Sequence, residues 1–164
     1  MAGNKKPRKK YHQRNNERQT LRTMPSVMKW VLEPLEQMLE ELRSSGCLSI
    51  DHNDMPLFLD RHTGTCFPLV AASKGMMIEF AIMFDKYHAD KTRLALLQVI
   101  FDHVERDEGI TEEELGDAEQ SLAYIRRLLG GVTVREYREL YGQWHAAHQA
   151  DAGYSGVTKC QVKL

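Results

Sequence analysis

A chain of 164 residues, 42% apolar and 27% charged, fits one globular domain with a tail, and it can bury a core without disulfide or metal staples. No stretch approaches the roughly 18 apolar residues of a membrane helix, and three widely spaced cysteines (Cys47, Cys66, Cys160) form no disulfide framework. Net charge is −1, yet the 22 basic and 23 acidic side chains are strongly segregated.

Residues 1–22 carry Lys5, Lys6, Arg8, Lys9, Lys10, Arg14, Arg18 and Arg22 against Glu17, eight to one, a net of +7. The other 142 residues hold 14 basic and 22 acidic side chains, a net of −8. A basic arm on an acidic body points to a polyanionic partner. Within residues 1–20 only Tyr11 has the size to pack, so the segment cannot offset its ordering entropy. Residues 1–22 are therefore expected to be a disordered arm, with Arg14 to Arg22 able to turn helical on a partner. The K-K-P-R-K-K run fits a nuclear localisation pattern if the host is eukaryotic. No apolar stretch follows it, so a secretory signal is not expected and the setting should be reducing and cytoplasmic.

The three-four spacing of Val27, Met28, Val31, Leu32, Leu35, Met38, Leu39 and Leu42 predicts a first helix over 25–43. Pro25 suits its first turn and Gly46 its stop, whereas Pro34 should kink the helix or delay its start. Residues 47–68 are short apolar runs with partial alternation, and they predict a small β-hairpin or meander. Its loop is Asp60-Arg61-His62-Thr63-Gly64, with Gly64 left-handed. Cys47 and Cys66 are expected to be buried as small apolar side chains, and Cys160 to be exposed in the tail.

Helical period returns from Ser73 to Tyr87 with apolar residues on nearly every face, which predicts a central helix. His88-Ala89-Asp90 breaks it. A helix over 91–106 follows, with Leu94, Leu97, Ile100, Phe101 and Val104 inward. Thr111 and Glu114 form a capping box that opens a helix with Leu115, Ala118, Leu122, Ile125 and Leu129 on one face, ended by Gly130-Gly131. Thr133 and Glu136 form a second box for a last helix that should bury Val134, Tyr137, Leu140, Tyr141 and Trp144. The expected fold is mostly α: a single-domain bundle of about five helices over 23–150, a β insertion over 47–68, and a flexible tail over 151–164.

Candidate chemistry outside the arm reads as structure. Asp51, His52, Asn53, Asp54, Asp60 and His62 have the donor types of a metal site, but no ordered ligand spacing, and Asp and Asn suit turns. His145 and His148 share a helical face without the E-x-x-H that bundle metal sites use. Asp107-Glu108-Gly109-Ile110-Thr111 has the look of a calcium loop, but Ile110 directly follows the glycine and Val104 and Arg106 stand where ligands belong. Cys66 and His62 make a Cys–His pair without a third orienting group. No phosphate-binding loop, nucleophile elbow or zinc-protease motif is present. The expectation is a non-enzymatic protein with no metal and no cofactor.

The opening N-K-K-P-R-K-K-Y resembles the R-K-P-R-K-x-Y string that begins many small uncharacterised proteins of bacteriophages and prophages in Gram-negative bacteria. The resemblance covers about eight residues and the general layout. It implies an origin in a mobile element and a bacterial cytoplasm, and it transfers no site residues. Together with the charge split, it leads to two expectations. The first is a binding protein that engages nucleic acid or a nucleoprotein through the arm, with Lys5, Lys6, Arg8, Lys9, Lys10, Arg14 and Arg18 on phosphate. The alternative is a small anti-defence inhibitor that docks its acidic helical body on a host protein. No membrane partner is expected.

Overall fold

The computed structural model describes residues 17–51, 54–60 and 65–150. A 3-10 turn at Leu21–Thr23 precedes helix α1 (Pro25–Ser45). A hairpin of strands β1 (Leu57–Asp60) and β2 (Thr65–Pro68) comes next. Helices α2 (Leu69–Lys86), α3 (Thr92–Arg106), α4 (Glu112–Gly131) and α5 (Val134–Ala150) complete the described chain. The fold is mostly α, a helical bundle with a small β insertion, as the periodicities predict.

Helix boundaries follow local chemistry. Pro25 opens α1, and Gly46, left-handed at φ 69, closes it with its N–H on the Leu42 carbonyl at 2.9 Å. The helix is continuous through Pro34, so of the two expected consequences, a kink or a late start, the late start does not occur. Proline removes one backbone hydrogen bond there, but Leu32 and Leu35 are fully buried on either side and hold both halves on the core. Helix α2 starts at Leu69, directly after Pro68, rather than at Ser73. Ser73 sits buried inside it with its hydroxyl donating to the Val70 carbonyl at 2.9 Å. His88 and Asp107 end α2 and α3 in left-handed conformations, at φ 49 and 54, without a glycine.

Both capping boxes form. Glu114 N–H donates to Thr111 Oγ1 at 3.2 Å, and the Glu114 carboxylate accepts from the Thr111 N–H at 2.8 Å. Glu136 N–H donates to Thr133 Oγ1 at 3.2 Å, and the Thr133 N–H returns to Glu136 at 2.8 Å. Each box satisfies two helix-end donors that would otherwise lack partners.

The hairpin pairs Leu57 with Pro68, Phe58 with Phe67, Leu59 with Cys66 and Asp60 with Thr65. An isolated bridge between Ile50 and Pro56 precedes it, which makes the segment a short meander. The loop at 61–64, with the glycine expected to be left-handed, lies outside the described residues, as do the side chain of Cys66 and all of Cys160.

Helix α4 packs on α1 and α3, and α2 packs on α3 and α5. The predicted row Leu115, Ala118, Leu122, Ile125 and Leu129 is buried throughout. Phe80, Met83 and Phe84 of α2 meet Leu97, Ile100 and Phe101 of α3 in the same core, and Phe84 lies 5.9 Å from the Tyr124 ring. Two expectations about burial are corrected. Cys47 is exposed, because the turn after Gly46 carries it off the end of α1. Tyr141 is 44% exposed on α5, where Leu140 takes the inward position. No helix among the described residues is long and apolar enough to cross a membrane.

The arm ends earlier than its charge pattern suggests. Leu21 is only 1% exposed, its N–H donates to the Val132 carbonyl at 2.8 Å, and the Val134 N–H donates to Gln19 at 2.9 Å. Thr20 and Thr133 form the antiparallel bridge between these two bonds. Residues 19–21 are therefore part of the domain, which does not begin at residue 23. One leucine accounts for the shift: burying its side chain is worth about 1.5–3 kcal/mol, and the ladder bonds satisfy the backbone that comes with it.

Candidate functional site

Helix α4 has two very different ends. At its C-terminal end, the ladder of residues 19–21 covers the α4–α5 link and fixes the root of the basic arm. Arg18, one of the predicted phosphate contacts, is exposed one residue before that ladder. Lys5, Lys6, Arg8, Lys9, Lys10 and Arg14 lie outside the described residues. Glu17, the lone acid of the arm, acts electrostatically on Arg135 of α5, which also pairs with Glu139 at 3.0 Å.

At its N-terminal end, α4 borders a groove of about 920 Å³. Residues 46–50 and 54–56 form one side and the α3–α4 connection, 107–111, forms another, with Leu42, Val70, Val104 and Leu115 beneath. Ile50 and Met55 stand on the rim at 57% and 45% exposure. The groove also carries Asp54, Glu105, Asp107, Glu108 and Glu112, against Arg43 alone among its basic residues. Arg43 is engaged in a two-pronged pair with Glu119 of α4, at 2.9 and 3.1 Å. Apolar surface with a strongly acidic border is thus the character of this end.

Both walls are held by polar side chains, of which only Asp51 and Asp54 belong to the run that the sequence reads as a turn. Glu41 of α1 accepts from the Ser49 N–H at 2.9 Å and from its hydroxyl at 2.7 Å. Asp51 accepts from the Met55 N–H at 2.9 Å, and Asp54 turns the chain at φ 59. On the other side, His103 Nδ1 donates to the Gly109 carbonyl at 3.1 Å, and its Nε2 lies 3.5 Å from Glu114. The loop that resembled a calcium site is therefore laced to α3 by a histidine, and Asp107 closes that helix.

His52, Asn53 and His62 lie outside the described residues, as do the side chains of Asp60, His145 and His148. Among the described residues, no group of three or more His, Cys, Asp or Glu is placed to hold a metal ion. Sequence reasoning missed Ile50, Met55 and His103. Two large apolar side chains flanking the polar run Asp51–Asp54 were the available signal for the groove.

Carboxyl environments near the α2–α5 contact diverge. Burial between α2 and its neighbours pushes Glu79 up to about 6. The Tyr137 phenol is raised as well, first by its own burial and then by the Glu79 charge. Glu136, by contrast, is held below the usual carboxylate range by the Thr133 hydroxyl and N–H.

Comparison with protein families, curated proteins and solved structures finds no match to this chain.

Proposed function

We propose that this chain is a non-enzymatic, phage-type binding protein that engages nucleic acid or a nucleoprotein complex through its basic N-terminal arm. The observation that carries the reading is charge segregation, +7 over residues 1–22 against −8 over the rest. The clamped root at Gln19–Leu21 supports it, because an anchored arm keeps a bound polyanion close to the domain. Lys5, Lys6, Arg8, Lys9, Lys10, Arg14 and Arg18 contact phosphate, and the acidic body repels the same polymer and keeps contact on the arm.

Salt titration of the full-length protein on duplex DNA and on RNA tests this. Seven phosphate contacts set a slope of log affinity against log salt of up to roughly −6 on duplex DNA. Replacing Lys5, Lys6, Arg8, Lys9, Lys10 and Arg14 together by Gln should remove most of that slope and most of the affinity. A variant that binds as tightly as the parent, with the same slope, rules the reading out.

The acidic border of the groove favours a second reading, in which the helical body docks on a host protein as an inhibitor. Glu112 on that border, with Glu113 and Asp117 on the outer face of α4, supplies the charge. This reading predicts a complex that survives neutralisation of the arm and weakens when those three acids are changed to Lys.

A further inference from the structure

We propose that the groove at the N-terminal end of α4 is a docking site for a short segment of a partner protein, one with apolar side chains flanked by Lys or Arg. The inference rests on the second reading for the class of partner, and it adds the place and the chemistry of contact. Ile50 and Met55 are two of the four large apolar side chains exposed among the described residues, and both stand on this rim. They are not loose. The Ser49–Glu41 bonds and the Asp51–Met55 bond fix the segment that presents them, and Leu57 N–H donates to the Ser49 carbonyl at 2.8 Å. A pre-set apolar ridge loses little conformational entropy when covered.

Charge complementarity selects the occupant. Asp54, Asp107 and Glu112 have no ion-pair partner among the described residues, whereas Glu105 is paired with Lys74 at 3.3 Å and Glu108 lies 3.8 Å from Arg106. An apolar ridge bordered by unneutralised acids attracts a cationic amphipathic segment and repels nucleic acid and anionic lipid. The chain's own arm has the charge but not the apolar content. Residues 1–16 offer only Met1, Ala2, Pro7 and Tyr11 besides polar groups.

The test uses the full-length protein with a short amphipathic peptide of leucine and lysine as probe. Two controls accompany it: the same peptide with every lysine changed to glutamate, and a lysine-rich peptide with every leucine changed to serine. The leucine–lysine peptide should bind at least about ten-fold more tightly than either control and shift the backbone resonances of Leu48, Ile50, Met55 and Ile110. Ile50→Asp with Met55→Asp should weaken it about ten-fold or more, and the exposure of both positions leaves folding unaffected, which circular dichroism checks. Equal binding of the serine control, or binding that the double variant leaves unchanged, overturns the inference. Resonance shifts confined to Glu113 and Asp117 on the outer face of α4 also overturn it, while leaving the second reading intact. Absence of binding by the full-length chain overturns it as well.

Discussion

The two ends of α4 present the same local chemistry and opposite tertiary outcomes. Each is entered or followed by a threonine–glutamate capping box, Thr111–Glu114 at one end and Thr133–Glu136 at the other. At the C-terminal end, a distant piece of chain lays Leu21 over the link and satisfies the exposed backbone of Val132 and Val134. At the N-terminal end, Ile50 and Met55 approach from a turn but stay half exposed, and acids surround them. Caps fix where a helix starts, and only a covering side chain decides whether its surroundings are core or surface. The closed end therefore carries stability, and the groove end is available for contact.

Removing the cover should give the largest effect. Leu21→Ala at a fully buried site is expected to cost about 2–5 kcal/mol by chemical denaturation, a sizeable part of an ordinary domain's total. Next comes Glu79, which faces Tyr137 in the first turn of α5 beside the closed end. Its folded pKa of about 6 lies above the ordinary value of 4.5, so the folded state holds its proton more tightly. Stability from this group is full below pH 4.5 and is lost as pH rises toward 6. Glu79→Gln is expected to stabilise the protein by up to about 2 kcal/mol at pH 7.5 and to have no effect at pH 4, read from melting curves.

The caps come third. Thr111→Ala and Thr133→Ala should each cost about 1 kcal/mol at neutral pH. Glu114 and Glu136 are held below the usual range by hydrogen bonds, to the Thr111 N–H first in one case and to the Thr133 hydroxyl first in the other. Their contribution is present above the ordinary carboxylate pKa and is lost as pH falls through the lowered values, opposite in sign to Glu79. Equal losses at both ends would confirm that the capping chemistry is the same and only the cover differs. Smallest of all is Ile50→Ser at the groove, expected within about 0.5 kcal/mol of the parent. A larger loss would mean that the rim belongs to the core and is not available to a partner.

Much of this fold was legible because its signals are local. Helix periods, the stop at Gly46 and the two capping boxes are patterns within a few residues, and they survive packing unchanged. The hairpin was readable from short apolar runs around a polar turn. What escaped depended on distant neighbours. Leu21 is a single apolar residue at the end of a basic run, with no periodicity to announce its burial. Pro34 pointed to a kink or a later helix start because its cost is local, while the buried leucines that offset it belong to the tertiary core. Cys47 and Tyr141 carry side chains that suit burial, but the turn after Gly46 and the phase of α5 turn them outward. The groove exists only where residues 46–50 and 54–56 meet residues 107–111, more than fifty residues apart in sequence. Its acids were visible as charge and its apolar pair as isolated residues, and no spacing rule joined them.

The bridge between Thr20 and Thr133 has a kinetic consequence. It joins positions 113 residues apart, near the whole length of the described chain, whereas the turns between α2, α3, α4 and α5 close over a few residues. Loop-closure entropy grows with separation, so this clasp is expected to engage after the local turns of the bundle have closed. Leu21→Ala should therefore raise the unfolding rate and leave the refolding rate nearly unchanged, as stopped-flow measurements would show. Slowed refolding would instead place the clasp in the nucleus. A late clasp acts as a latch on an already formed bundle, so the root of the arm is the last part of the domain to lock during folding and the first to release.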